Sequence, residues 1–318
     1  MSTTSTSNPE PRGIRQTIGN YIQTHSTTHQ APQAHGAIRP SGLDLTGQVE
    51  VVSKNPVAIG GSADVYLGEW VDTSRKGEKL AVKFLRFAHL EEKKVKTAKK
   101  LAKETKAWVK LIHPNIHLFY GTSLGLRPAS ESPAMISPWM ANGNMTEYIA
   151  NHPDADKYKL ICQITSGLVY LHGEHIVHGD LKGNNVLIND AGDAIITDFG
   201  RSKIMDDTDY TTSLMFATAW TAPEIFLSEN EVSVSYKSDI WALGMTALEL
   251  YVGFRTLWGG ARPAKIILMV TKGTKPEPEA YPSFPSGYWK AFEGCWAFEG
   301  NDRPEAKDVY TRLESITL

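Results

Sequence analysis

Residues 178–185 read His178-Gly179-Asp180-Leu181-Lys182-Gly183-Asn184-Asn185, and beyond the apolar run Ala194-Ile195-Ile196 the chain continues Asp198-Phe199-Gly200. Asn185 and Asp198 offer oxygen ligands, and Asp180 just upstream adds a carboxylate able to accept a proton. A hard cation such as Mg²⁺ takes oxygen ligands, and a general base must lie within reach of the proton it removes. Both demands are met in these two short stretches. The same residue types also suit an ordinary polar loop between strands, because Asp, Asn and Gly are turn formers. The choice falls to the rest of the chain.

Upstream, Ile59-Gly60-Gly61-Ser62-Ala63-Asp64-Val65 sets small residues between two strand-like runs, where backbone N–H groups can approach a polyphosphate. A plain hairpin with a Gly-Gly turn would read the same way. Leu80-Ala81-Val82-Lys83-Phe84 follows, and on a strand Ala81 and Lys83 share a face. An adenine could lie on the methyl while the ammonium reaches phosphates; the alternative is a lysine on a solvated strand face. A helix predicted from about Glu91 to Ile112 carries an apolar stripe of Leu101, Ala107, Trp108 and Leu111, and Glu104 falls inside it. A buried unpaired charge costs about several kcal/mol, so Glu104 needs a cation, and Lys83 is the one the pattern positions. Lys99, Lys103, Lys106 and Lys110 share the far face and read as solvated.

The chain has 318 residues, more than the ~100–200 of one typical domain, so two lobes are expected. Strand-like runs at Val57–Trp70 and Leu80–Phe87 come first. Helical stripes follow past Tyr148, with Leu160, Ile164, Leu168 and Leu171 on one face and Ile240, Leu243, Ala247 and Leu250 on another. Strands first and helices second predict an α+β class rather than alternating βαβ units. Residues 1–45, crowded with Ser, Thr, Gln, His and Pro, read as a disordered tail. Lys plus Arg total 33 against Asp plus Glu 35, and the net charge of −2 argues against nucleic acid or an anionic membrane as the main partner. The longest apolar stretch, Ile240–Phe254, is interrupted by Glu249 and falls short of the ~20 residues a membrane helix needs. No signal peptide is read at the start, and Ser2 excludes myristoylation at a second-position Gly. Cys162 and Cys295 are the only cysteines, which excludes a disulfide scaffold or a thiolate zinc site and fits a reducing, intracellular compartment, cytoplasmic or nuclear.

From about Val51 to Leu318 the chain resembles the eukaryotic protein kinase family. Ala222-Pro223-Glu224, Ser238-Asp239-Ile240-Trp241, Cys295-Trp296 and Arg303-Pro304 carry the resemblance beyond the stretches above. His113-Pro114-Asn115-Ile116, Trp220 and Trp296 are similar to the tyrosine-kinase-like branch of Ser/Thr kinases, especially those of mushroom-forming fungi. The resemblance implies a two-lobed fold, with a small antiparallel β-sheet lobe and one key helix (46–139), then a larger, mainly helical lobe (140–318). It also implies ATP with Mg²⁺ or Mn²⁺, and protein substrates. Lys83, paired with Glu104, would anchor phosphates. Asp180 would accept the substrate proton and Lys182 would neutralise charge on the γ-phosphate, with Asn185 and Asp198 holding the metal. Ile59, Gly60, Gly61, Ser62 and Ala63 would form the phosphate loop. Val65, Ala81 and Leu187 would sandwich the adenine, Met140 would meet its edge, and Ser137 would guard the space behind it. Trp108, Phe119, His178 and Phe199 match a stacked column beside Gly200, Glu224 would pair with Arg303, and Asp239 would hold the catalytic loop's backbone.

Three departures stand out. Ala58 and Ala63 replace two family glycines and Ser62 replaces the loop-tip aromatic, which stiffens the lid. Gly179 replaces the arginine that reads activation-loop phosphorylation, so activity is expected without phosphate on Thr208, Tyr210, Thr211, Thr212 or Ser213. Ala217 stands where a threonine is usual, so a Ser/Thr preference rests on Lys182. A nucleotide-binding pseudokinase scaffold, a dual-specificity or Tyr kinase and, because of His-Gly-Asp, a small-molecule kinase are the competing readings.

Overall fold

β-Branched and aromatic residues between Val49 and Pro138 pair into six antiparallel strands, β1 (Val49–Val51), β2 (Ala58–Ile59), β3 (Ala63–Trp70), β4 (Lys79–Leu85), β5 (Gly121–Ser123) and β6 (Ala134–Pro138). The computed structural model describes residues 43–60, 63–86, 104–126, 133–199, 202–204, 217–228 and 234–316. These fall into two units: residues up to Thr105 with Phe119–Pro138, and Lys106–Leu118 with Trp139 onward. In the first, the strands run β1-β3-β4-β6-β5, with β2 hanging on β3. Val65 faces Lys83, Leu67 faces Ala81, and Ala81 faces Ser137 across the ladder. β4 is buried on both faces, with Leu80, Val82 and Phe84 on one and Ala81 and Leu85 on the other, and only Lys79 and Lys83 reach toward solvent.

The last three residues of the tail expected over residues 1–45 are part of the folded unit. Residues 1–42 lie outside the described structure, but Leu43–Leu45 are bound to the sheet. The Leu45 amide donates to the Thr122 carbonyl and the Thr122 amide to the Leu43 carbonyl, each at 2.7 Å, and the Leu45 side chain is fully buried. Gly121 permits this contact: at φ +152°, a Cβ there would lie 2.3 Å from the Leu43 carbonyl oxygen.

The helix expected to reach Ile112 stops at residue 108 within the described residues. The Leu111 amide turns back to the Trp108 carbonyl at 3.1 Å, an i to i−3 bond that tightens the last turn. Pro114 disfavours helical backbone at His113, which keeps the helix from resuming past Ile112. From there Lys106–Leu118, which a 46–139 lobe would keep with the sheet, makes its bonds in the second unit. The Asn115 side chain donates to the Ala194 carbonyl at 3.0 Å, and the His117 amide donates to the Ile196 carbonyl at 2.8 Å.

The second unit is built on two helices, Lys157–Gly173 and Tyr236–Val252. Leu160, Ile164, Leu168 and Leu171 are buried as their spacing predicts. Tyr236–Val252 goes further: every residue from Ser238 to Leu250 is buried, as expected of a helix apolar all round. Ser235 and Ser238 close a reciprocal capping box at its start. Short strands β7 (Ile176–Val177) and β10 (Lys203–Ile204) pair, as do β8 (Val186–Ile188) and β9 (Ala194–Ile196). The stretch 178–185 is the connection between β7 and β8, and Asp198 follows β9. No helix among the described residues is long and apolar enough to cross a membrane.

Candidate active site

In the first unit, Lys83 Nζ donates to Glu104 Oε1 at 2.5 Å, with the Glu104 side chain almost fully buried. The partner inferred from the apolar stripe is therefore in place. The β2–β3 hairpin closes on the Gly60 amide, which donates to the Ala63 carbonyl at 2.9 Å, while Gly61 and Ser62 lie outside the described residues. Ile59 is exposed, Val65 half-buried and Ala81 buried. Asp64, at the start of β3, is held by Arg86 from the end of β4 (2.8 Å), an ion pair not anticipated from sequence. Ser137 is buried on β6, and Phe119 is buried in this unit.

In the second unit, the stretch 178–185 hangs from one carboxylate. Asp239 Oδ1 accepts the Gly179 amide at 2.8 Å; Oδ2 accepts the His178 amide at 2.7 Å and faces His172 Nε2 at 3.0 Å. Gly179 adopts φ +77°. His178 Nδ1 faces the Asp180 amide at 3.3 Å, so its Nε2 carries the hydrogen and donates to the Thr197 carbonyl at 3.0 Å. Lys182 Nζ donates to Asp180 Oδ2 at 2.8 Å, and Asn185 Nδ2 donates to the Asp180 carbonyl at 2.8 Å and to the same Oδ2 at 3.1 Å. Asp180, Lys182 and Asn185 thus converge within a few residues of chain.

The Asn185 bonds bear on metal binding. Its amide nitrogen is committed to Asp180, and among the described residues its Oδ1 has no protein partner, which is the atom a hard cation takes. Asp198, the other expected oxygen ligand, holds a left-handed backbone at φ +66°, rare for a non-glycine residue and concentrated at functional sites. No cluster of three His, Cys, Asp or Glu suited to a metal occurs among the described residues. Mg²⁺ commonly sits on one or two protein groups plus substrate phosphates, so Asn185 and Asp198 fit it.

Phe199 is fully buried, with ring centroids 5.7 Å from both Trp108 and His178, so three of the four expected column residues meet; Phe119 belongs to the first unit. Gly200 and the hydroxyl residues 208–213 lie outside the described residues. Leu187 is half-buried on β8, and the buried Met140 accepts the Gly143 amide through its carbonyl at 3.2 Å. Arg303 grips Glu224 with two parallel bonds of 2.8 and 2.7 Å.

In the sequence, Glu249 marks only the break in an apolar run. It is 3% exposed and binds three donors: the Gly183 amide (2.8 Å), Trp220 Nε1 (3.0 Å) and Thr146 Oγ1 (2.6 Å). Burial pushes its carboxyl above the usual range, against the pull of those donors and of the Lys182 charge. The carboxylate ties the catalytic stretch at Gly183 to Trp220, just before Ala222-Pro223-Glu224. A lone Glu inside an apolar helical run was the available signal.

A family model described as protein tyrosine and serine/threonine kinase matches residues 51–313. The chain is 28% identical over 280 residues to the dual specificity protein kinase pyk3 of Dictyostelium discoideum, covering 85% of this chain and 19% of that protein. It is 29% identical over 275 residues to the tyrosine-protein kinase abl-1 of Caenorhabditis elegans, covering 84% of this chain and 21% of that one. Over 193 residues it is 32% identical to mitogen-activated protein kinase kinase kinase 3 of Arabidopsis thaliana, covering 58% and 30%. The chain thus spans a fifth to a third of the length of these relatives.

Proposed function

The chain belongs to the protein tyrosine and serine/threonine kinase family, in the tyrosine-kinase-like branch of the eukaryotic protein kinases, and from that premise we propose that it transfers the γ-phosphoryl group of ATP to Ser and Thr hydroxyls of protein substrates. The observation that carries this reading is the Asp180 carboxylate, with Lys182 and Asn185 both on Oδ2. That arrangement orients a base and sets a cation beside it. In the proposed reaction Asp180 accepts the proton of the substrate hydroxyl as its oxygen bonds to the γ-phosphorus. The bond to the bridging oxygen breaks, and ADP leaves with that electron pair. Lys182 steadies the charge on the transferred group. Lys83, oriented by Glu104, would bind the α- and β-phosphates, and Asn185 and Asp198 would hold Mg²⁺ or Mn²⁺. The bound ion would neutralise phosphate charge as it develops.

The Ser/Thr preference rests on Lys182 and its contact with Asp180. Relatives whose names specify tyrosine and dual specificity make it the finer and more exposed part of the reading. The free thiols of Cys162 and Cys295 support an intracellular setting. The test is incubation of the purified chain with γ-labelled ATP, Mg²⁺ and a mixed protein substrate, followed by phosphoamino-acid analysis. Label on Ser and Thr supports the reading, label on Tyr alone refutes the preference, and no transfer with several substrates refutes the enzyme.

A further inference from the structure

His117 belongs to none of the motifs above, yet it is 3% exposed and uses its backbone and its ring together. Its amide donates to the Ile196 carbonyl at 2.8 Å, its Nδ1 is hydrogen-bonded to Thr197 Oγ1 at 3.0 Å, and its carbonyl accepts the Trp108 indole N–H. Thr197 is equally committed. Its amide donates to the Asn185 carbonyl at 2.9 Å, and its carbonyl accepts His178 Nε2 at 3.0 Å. The residue after Thr197 is Asp198, at φ +66°, and the next is Phe199, whose ring lies 5.7 Å from Trp108. His117 therefore brackets Asp198, touching Thr197 directly on one side and reaching Phe199 through Trp108 on the other.

A left-handed non-glycine backbone costs about 1–3 kcal/mol and persists only where its surroundings over-determine it. Two bonds to Thr197, from Asn185 and His178, belong to the catalytic stretch itself. The third, from His117, ties the segment to Trp108, where the helix of residues 104–108 ends. A buried imidazole must offset its own desolvation with a partner, and an aliphatic side chain would fill the same space without that cost. Resting on the kinase reading, we propose that His117 and Thr197 are positioning residues that set the metal-binding carboxylate of Asp198.

The test measures metal affinity without turnover, by electron paramagnetic resonance of Mn²⁺ titrated into the full chain with a non-hydrolysable ATP analogue. Replacing His117 by Leu keeps bulk and removes Nδ1, and Thr197→Val removes the hydroxyl at nearly constant shape. Each should weaken Mn²⁺ binding roughly three- to tenfold, the worth of one net hydrogen bond, and the double variant should be no weaker than either single one. His117→Asn puts a polar atom where Nδ1 lies and should restore affinity; His117→Gln, whose amide reaches the Nε2 position, should not. In phosphotransfer, the Mg²⁺ concentration for half-maximal rate should rise in parallel, with the KM for ATP at saturating Mg²⁺ little changed. Unchanged Mn²⁺ affinity in the Leu and Val variants, additive losses in the double variant, or equal rescue by Asn and Gln would each overturn the proposal and leave His117 a satisfied core residue. Should His117→Leu fail to fold, Thr197→Val against wild type decides. A wild-type chain that binds Mn²⁺ and nucleotide but transfers no phosphate would sink the kinase reading alone, and the Mn²⁺ affinities would still judge this one.

Discussion

Gly179 sits at φ +77° with its amide on Asp239, directly before Asp180, the proposed base. An L side chain in that conformation costs roughly 1–2 kcal/mol, so Gly179→Ala should lower the melting temperature by about 2–8 °C, at ~2–4 °C per kcal/mol in a domain of this size. An unchanged melting temperature would mean the loop relaxes out of the left-handed region. Restoring the family's residue with Gly179→Arg should carry the same strain. Asp180 and Asp198 separate two duties. Asp180→Asn should cut kcat by about 10²–10⁴ while nucleotide affinity stays within a few-fold, because the lost group acts on the hydroxyl. Asp198→Ala should remove the response to Mg²⁺, read as loss of the metal-dependent part of nucleotide binding. A large fall in ATP affinity for Asp180→Asn would show that the residue has been misassigned.

The helix Tyr236–Val252 carries both carboxylates that hold the catalytic stretch, Asp239 near its start and Glu249 near its end. Glu249→Gln leaves one oxygen for three donors, so at least one buried donor loses its acceptor, at about 1–3 kcal/mol. We expect lower urea midpoints and a fall in kcat larger than any change in KM. The folded-state pKa of Glu249 is raised by burial, so its contribution is fully present below the ordinary carboxylate range near ~4.3 and is lost as pH rises through the raised value. The deficit of the Gln variant should accordingly be wider at pH 5 than at pH 7.5, and a gap that grew with pH would contradict the assignment. The same helix shows what could be read from sequence. A carboxylate on an apolar stripe must bind a cation, and Glu104 does bind Lys83. Glu249 posed the identical question inside Ile240–Phe254. Its donors, however, lie up to 103 residues away, at Thr146, Gly183 and Trp220, where no local period connects them. Periodicity marked one face of this helix, but neighbours on all sides bury the rest. Pro114 bounds the helix at Ile112, so neither its earlier stop at residue 108 nor the docking of Leu43–Leu45, which depends on the backbone of Gly121, was legible from local sequence.

Across the whole molecule, Cys295 reports on global opening. Complete burial pushes its thiol up to about 12, against the pull of Arg312 and Arg303, whereas an unfolded thiol titrates near ~8.5. With the folded value raised, its contribution is intact below ~8.5 and is lost as pH rises toward 12, so alkali should lower the urea midpoint. At pH 8, iodoacetamide should modify Cys295 only as fast as the chain unfolds, and rapid labelling under native conditions would refute its burial. The sheet of the first unit ends at β5, and there Leu43–Leu45 occupy the hydrogen-bonding positions of Thr122. Those three residues act as a seal against neighbours in solution. A strand edge with free amides and carbonyls is a template for another chain, so a protein shortened to begin at Thr46 should self-associate with rising concentration in light scattering, whereas one beginning at Leu43 should stay monodisperse.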